Sequence, residues 1–208
     1  IASCLVGSEM CIRDRPREAA RISAWSFILA WLSLLIAVIL LYIATGDWYI
    51  YSNMSDDNAI NYGMRLCINL LIVLAVIIPA AQFPFQGWLI ESVAAPTPVS
   101  AIMHAGIVNA GGVILTRFSP VFNDEIAISL LLIIASISVL LGSGISLVHV
   151  DYKRQLVGST ISQMGFMLVQ CALGAYSAAI VHLILHGVFK ATLFLQSGSV
   201  VKLSLIHI

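Results

Sequence analysis

Charged residues divide this sequence at nearly equal intervals, and the stretches between them are long and apolar. Runs of 25 uncharged residues follow Arg21, Arg65, Glu91 and Glu125. About 20 apolar residues cross the hydrocarbon core of a bilayer as an α-helix, so each run has the length of one membrane span. The spacing therefore predicts an all-α fold, a polytopic bundle of transmembrane helices.

The overall composition agrees with a chain that is surrounded mainly by lipid. Of the 208 residues, 60% are hydrophobic and only 10% are charged. Water-soluble domains carry about 25% charged residues. The formal net charge is zero and basic residues form no run, which argues against a nucleic-acid partner. We therefore expect membrane lipid to be a partner of most of the chain.

A longer uncharged run near the carboxyl end has to hold two helices. It covers the 35 residues from Gln155 to Phe189, too many for one span. A break at Gly174-Ala175-Tyr176 divides it, and the second helix continues through Lys190. About six spans result, at roughly 22–45, 66–85, 98–117, 126–149, 155–173 and 176–200.

The loops predict the orientation of these spans. Basic residues lie before the first span, between the fourth and fifth, and after the sixth, whereas the loop at 47–64 is acidic. Because positively charged loops remain in the cytoplasm, both ends of the segment are predicted to be cytoplasmic.

Prolines interrupt the second predicted span. Pro79 and Pro84 remove backbone donors and clash with the preceding turn, which predicts a kinked or broken helix. Broken helices inside membranes occur where protein or a water-filled cavity satisfies the freed backbone groups. The alternative is an ordinary loop that leaves the membrane, where proline is common.

Ionisable side chains inside the predicted spans are candidates for proton transfer. His104 is the central residue of the run 92–116, and imidazole titrates near neutral pH. In the sixth span, His182, His186 and Lys190 follow one another at intervals of four residues. Each interval is about 400° of helical rotation, so the three side chains form one stripe. Such groups are costly in lipid unless water or a partner reaches them, which predicts a hydrated proton path.

Simpler explanations exist for each of these residues. His104 could be a packing histidine that is bonded to a backbone carbonyl, and Lys190 could extend along the helix towards the membrane surface. Lys153 and Gln163 are possible supporting residues of the proton path. Alternatively, Lys153 is a cytoplasmic charge that sets the membrane topology, and Gln163 hydrogen-bonds a neighbouring helix. His182 and His186 have the spacing of zinc ligands, but Leu183 stands where a zincin has glutamate. We predict no metal, no cofactor and no enzymatic site.

Three segments resemble a known family. They are AAQFPFQGWL (80–89), APTPVSAIMHAGIVNAGGVILTRFSP (95–120) and the stretch from DYKRQLVGSTISQ to HLILHGVFKATLFLQSGS (151–199). Together they resemble the antiporter-like subunits of respiratory complex I, chiefly the L-type or subunit 5 branch, and the Mrp-type Na+/H+ antiporter subunits. The motif HAGIVNAGG is similar to a subgroup that works with a DabA-type partner in inorganic carbon uptake.

The resemblance implies a fold and roles for individual residues. The six spans would correspond to helices six to eleven of two inverted five-helix repeats. His104, His182, His186 and Lys190 would lie on a central hydrophilic axis that carries protons or cations across the cell membrane of a prokaryote. Family members also carry a lysine in the first broken helix, where this chain has Pro79. Loss of that lysine puts the usual coupling in doubt.

Three functions therefore remain open at this point. The first is a proton-conducting transporter subunit that drives uptake of bicarbonate or CO2 with a DabA-type partner. The second is a proton-pumping subunit of complex I, or an Mrp-type subunit, among other membrane subunits of that kind. The third is a membrane scaffold that anchors its partner without conducting.

The two ends of the sequence differ from the rest. Residues 1–15 and 203–208 resemble translated sequencing adapters and have no signal-peptide pattern. We expect them to be non-native, and we expect 16–202 to be a fragment of the transporter transmembrane domain.

Overall fold

The fold is all-α over the part of the chain that the structure describes, with no β-strand there. The computed structural model describes residues 2–46, 60–95 and 97–206, and side chains within 17–46, 60–93, 95 and 98–196. The helices are α1 (Ala2–Thr45), α2 (Tyr62–Ile77), α3 (Gly87–Glu91), α4 (Thr97–Ala105), α5 (Ala110–Phe118), α6 (Glu125–Val148), α7 (Tyr152–Ala172) and α8 (Tyr176–Ile206). Short 3-10 helices at Ser92–Ala94 and Ile107–Asn109 follow α3 and α4. The predicted fold class is confirmed.

Four helical segments of the described chain are long and apolar enough to cross a membrane. They are Arg17–Thr45, Pro98–Phe118, Glu125–Val148 and Tyr176–Gln196. The other two predicted spans correspond to α2, which has 16 residues, and to α7, which has 21 residues but is more polar. At 1.5 Å per residue α7 is about 32 Å long, enough to cross the hydrocarbon core.

Helix ends agree with the predicted spans at several positions and differ at others. The break between α7 and α8 lies at Gly174, whose φ of 77° is readily adopted only by glycine. By contrast, α1 begins at Ala2 rather than near residue 22. Hydropathy marks where a helix enters lipid, and a helix can extend further. The acidic loop predicted at 47–64 falls largely outside the described residues, and the orientation of the spans stays a prediction.

The third predicted span is interrupted, which the sequence analysis did not anticipate. α4 ends at Ala105, and the chain tightens through Gly106 before α5 begins at Ala110. A Cβ at Gly106 would lie 2.8 Å from the Ile102 carbonyl oxygen, so the tight turn needs glycine. The Asn109 side chain then donates from Nδ2 to the Ala105 carbonyl oxygen at 2.7 Å.

Small residues bring the helices close together. α6 and α7 form the most extensive helix pair, in which a Cβ at Gly142 would lie 2.6 Å from the Ser162 backbone nitrogen. Gly111 faces the Val76 carbonyl oxygen on α2, and Gly112 faces Met167 on α7. Close approach of this kind is the usual basis of helix association in membranes.

The second predicted span is broken, as the prolines indicate. α2 ends at Ile77, and residues 78–86 form turns before α3 begins at Gly87. Protein groups satisfy the freed backbone: Trp88 Nε1 donates to the Ile78 carbonyl oxygen at 2.7 Å, and the Phe83 amide donates to Ser138 Oγ at 2.8 Å. Pro79 is buried. The break is therefore anchored to α6, while Phe83 and Pro84 within it remain exposed.

Candidate proton-transfer site

The predicted stripe on α8 exists and faces the interior of the described chain. His182 is half-buried, His186 is 6% exposed and Lys190 is 2% exposed. Phe194 continues the same spacing and is also buried. Neighbouring positions on α8 such as Leu185 and Val188 are exposed and apolar, as expected of a surface that contacts lipid or further helices.

Lys190 is held by groups of α7. Its Nζ donates to the Leu156 carbonyl oxygen at 3.0 Å and to Ser159 Oγ. The Ser159 hydroxyl donates in turn to the same Leu156 carbonyl, at 3.0 Å. No ion pair of Lys190 is found among the described residues. The amine is thus fixed by neutral acceptors.

His182 and His186 differ in how well their ring nitrogens are satisfied. The His182 Nδ1 atom lies 3.3 Å from Gln170 Oε1 on α7. Both ring nitrogens of His186 are buried, and neither has a hydrogen-bond partner among the described residues. The two ring centroids are 6.1 Å apart. Because buried polar atoms are almost always hydrogen-bonded, the nitrogens of His186 require water or a group from another segment.

An open cavity of about 810 Å³ lies between α7 and α8 beside these residues, and its lining combines polar groups with a larger apolar surface. At about 30 Å³ per molecule of liquid water, it has room for roughly 27 waters. No carboxylate is among the described residues that line it, and the ionisable groups there are bases. Its lining residues are Ser159, Gln163, Gln170, Ser177, Ala178, Val181, His182, Leu185, His186, Phe189 and Lys190.

His104 lies at the other end of the stripe, on the last turn of α4. It is 0% exposed, and its ring stacks on that of Phe194 with centroids 4.5 Å apart and planes 15° apart. Its Nε2 atom is 3.3 Å from Ser92 Oγ, while Nδ1 has no hydrogen-bond partner in the described part of the chain. Phe194 lies four residues beyond Lys190 on the same stripe, so His104 adjoins the end of the stripe without lining the cavity. We call His182, His186, Lys190 and His104 together the array.

A glycine permits this convergence of α4 and α8. A Cβ at Gly187 would lie 3.1 Å from the Ala105 carbonyl oxygen, next to His104. Gly187 itself follows His186. With a rise of 1.5 Å per residue, the array from His182 to Phe194 extends about 18 Å along α8. This is more than half of the roughly 30 Å hydrocarbon core.

Not every predicted residue joins this array. Gln163 lines the cavity, whereas Lys153 lies in the first turn of α7 and is not among the lining residues. Pro79 and Pro84 are in the α2–α3 break. The sequence analysis did not identify Ser92 or Gln170, because neither shares a helix face or a short spacing with the histidine it contacts.

Known proteins resemble this chain over nearly its whole length. Residues 3–204 match the family described as "NADH:quinone oxidoreductase/Mrp antiporter, TM". The chain belongs to this family. The similarity inferred from the three sequence motifs is therefore confirmed, and the chain is a multi-pass membrane protein.

Two curated relatives are identical to this chain at about two thirds of the aligned residues. The "Probable inorganic carbon transporter subunit DabB" of Bacillus subtilis (strain 168) is 67% identical over 204 residues, which is 95% of this chain and 40% of the relative. The protein of the same name from Bacillus anthracis is 65% identical over 187 residues, 89% of this chain and 37% of the relative. The chain thus spans less than half the length of these relatives.

A solved structure shares the helical arrangement. The Mrp complex from Dietzia sp. DQ12-45-1b contains a chain that is 34% identical, with a TM-score of 0.81. The match covers 86% of this chain and 21% of that one. An antiporter-like helical fold is therefore shown by sequence and by structure.

Proposed function

We propose that this chain is the proton-conducting part of a membrane transporter subunit that drives inorganic carbon uptake together with a DabA-type partner, in a prokaryotic cell membrane. The observation that carries the proposal is the stripe of His182, His186 and Lys190 along one cavity, with His104 stacked on Phe194 at the end of the same stripe. Isolated titratable groups in a membrane segment are costly, and four that converge are difficult to explain by packing.

Lys190 can exist in both protonation states at its position. A neutral amine has two N–H groups, and Leu156 and Ser159 supply two acceptors. A protonated amine has a third N–H group, which the cavity can satisfy with water. The site therefore accommodates uptake and release of a proton without breaking either protein hydrogen bond.

Transfer along the stripe requires water between the side chains. The rings of His182 and His186 are 6.1 Å apart between centroids, and successive stripe positions rise by about 6 Å along the helix. Hydrogen bonds between heavy atoms measure about 2.7–3.2 Å, so direct transfer along the whole stripe is excluded and bridging waters are needed. The cavity beside the stripe is where those waters would lie.

The relatives favour inorganic carbon as the coupled substrate. The two curated relatives reported above, at 65% and 67% identity, are both named as inorganic carbon transporter subunits. The Mrp chain is 34% identical. A gene for a DabA-type protein beside the reading frame would support carbon uptake, whereas a complete set of complex I genes would support respiratory proton pumping.

A non-conducting scaffold is the second candidate, and one observation favours it. Residues 78–86, which form the α2–α3 break, include no lysine, histidine or carboxylate, and Pro79 is buried where family members have lysine. Two backbone groups of the break, the Ile78 carbonyl oxygen and the Phe83 amide, are hydrogen-bonded to protein side chains. In that case the subunit would hold its partner in the membrane without moving ions.

Substitution of Lys190 distinguishes the two candidates. We would express the complete reading frame with its neighbouring gene and measure inorganic carbon uptake of cells that carry Lys190→Met, with Lys153→Met as the matched control. Methionine keeps an unbranched chain of similar size and removes the proton site. We expect Lys190→Met to lower uptake by roughly a hundredfold, the low end of the contribution typical of a proton-transferring side chain. Lys153→Met should retain it.

Protein abundance in the membrane, measured on the same cells, separates loss of function from loss of protein. Normal abundance with uptake equal to that of Lys153→Met would refute conduction through Lys190 and favour the scaffold.

A further inference from the structure

Ser92 lies at a junction between the first broken span and His104. It opens the 3-10 helix Ser92–Ala94 that follows α3, and it is 3% exposed. Its Oγ atom is 2.5 Å from the Leu89 carbonyl oxygen and 3.3 Å from His104 Nε2. One hydroxyl group therefore contacts both a backbone acceptor and a ring nitrogen.

The hydroxyl has a single hydrogen, and its location follows from the two contacts. A carbonyl oxygen has no hydrogen, so two oxygens 2.5 Å apart would repel unless the serine hydroxyl donates to Leu89. The oxygen of Ser92 can then act only as an acceptor towards His104. It follows that the hydrogen between Ser92 and His104 belongs to Nε2.

The other described groups around His104 leave one nitrogen of its ring available for proton exchange. Phe194 covers one face of the imidazole, and the residue is fully buried. In a neutral imidazole one nitrogen carries a hydrogen and the other accepts. With the hydrogen on Nε2, the unpartnered Nδ1 is the acceptor. Of the described residues, Lys190 and His186 are the titratable groups that act electrostatically on this ring.

We propose that Ser92 is a positioning residue for His104: it accepts the Nε2 hydrogen and so makes Nδ1 the nitrogen that takes up and releases the transported proton. The role in transport rests on the proposed function, whereas the tautomer does not. Uptake at Nδ1 gives an imidazolium with both nitrogens protonated, and loss of the same proton restores the starting tautomer.

This arrangement also determines the direction from which His104 can exchange. Release through Nε2 would pass the proton to Ser92, whose own hydrogen is bonded to a backbone carbonyl that cannot relay it further. His104 therefore loads and unloads on one side, towards its Nδ1 atom.

Nitrogen NMR of the histidine rings tests the proposal. The complete protein would be labelled with 15N-histidine, reconstituted in lipid bilayers at alkaline pH, and the His104 signals assigned by their loss in His104→Gln. We expect the Nε2–H tautomer in the unsubstituted protein and in Ser92→Thr, which keeps the hydroxyl. In Ser92→Ala we expect the ratio of Nε2–H to Nδ1–H tautomer to fall by roughly fivefold, the bias that one ordinary hydrogen bond supports.

Ser100→Ala is the matched control, because Ser100 is a buried serine one turn before His104 whose hydroxyl donates to the Ala95 carbonyl oxygen instead. It should leave the tautomer unchanged. An Nδ1–H tautomer in the unsubstituted protein, or an unaltered ratio in Ser92→Ala, would overturn the proposal.

Inorganic carbon uptake of the same variants is measured separately from the NMR spectra. If Ser92 acts through the tautomer, Ser92→Ala lowers uptake while Ser92→Thr restores it. An altered tautomer with unaltered uptake would uphold the positioning of the ring and refute its role in transport.

Discussion

The contact between α6 and α7 makes a specific prediction about stability. Gly142→Ala places a methyl group 2.6 Å from the Ser162 backbone nitrogen and 2.8 Å from the Gly158 carbonyl oxygen. Ordinary contacts of a Cβ atom lie at 3.4–4 Å. Both obstacles are backbone atoms, so no side chain can rotate away, and the two helices must separate by about 1 Å.

The expected change in the free energy of unfolding of Gly142→Ala is a balance of opposing effects. Overpacking of a close contact typically costs about 1–3 kcal/mol. Alanine in a helix is favoured over glycine by about 1 kcal/mol, which offsets part of that cost. Separation also stretches the hydrogen bond between Ser143 Oγ and Ser162 Oγ, now 3.0 Å. We therefore expect a net loss of about 1–2 kcal/mol in the free energy of unfolding.

Gly144 supplies the matched control on the same helix, because a Cβ there meets no atom within 4 Å. Both variants would be compared with the unsubstituted protein by unfolding in detergent micelles or bilayers. We expect Gly144→Ala to be neutral or slightly stabilising. Equal stability of Gly142→Ala and Gly144→Ala would refute the packing of α6 against α7 described here.

Two further predictions concern the elements that hold the site. Ser138→Ala removes the acceptor of the Phe83 amide in the α2–α3 break. It should lower the free energy of unfolding by about 1–3 kcal/mol, because a buried donor is left unsatisfied. Ser136→Ala, on the exposed face of α6, should change the free energy of unfolding little. Gly187→Val pushes α8 away from the Ala105 carbonyl oxygen, which is only 3.1 Å from the position of a Cβ at residue 187. Carbon uptake should fall at unchanged protein abundance, because the substitution separates the two helices that carry the array. Uptake equal to that of the unsubstituted protein would contradict this.

Local sequence patterns predicted much of the fold. The charge spacing located the spans, Gly174 marked the division between α7 and α8, and Pro79 marked the break after α2. These signals are local, since a helix end depends on backbone donors, on glycine conformations and on the length of an apolar run. The interruption at Gly106 was missed because an isolated glycine within an apolar run usually continues the helix.

The site was predictable only where its residues share a helix. The stripe of His182, His186 and Lys190 follows from helical periodicity alone. The partners of those residues come from other helices: Ser159 on α7 holds Lys190, and Ser92 contacts His104 from beyond a proline-containing turn. Pairings of this kind depend on how helices pack, which the single sequence does not encode at any fixed spacing. Assignment of residues 1–15 and 203–208 as non-native stays a prediction.

The proposed function requires that water reaches the titratable side chains inside the membrane. The ring nitrogens of His186, which have no partner among the described residues, are the most direct place to look for that water. A cryo-EM structure of the complete protein in lipid nanodiscs, at a resolution that shows ordered water, makes the measurement. We expect water about 3 Å from at least one ring nitrogen of His186, continuing along the cavity towards Lys190. Apolar side chains packed against both nitrogens, with no water between His182 and Lys190, would contradict it.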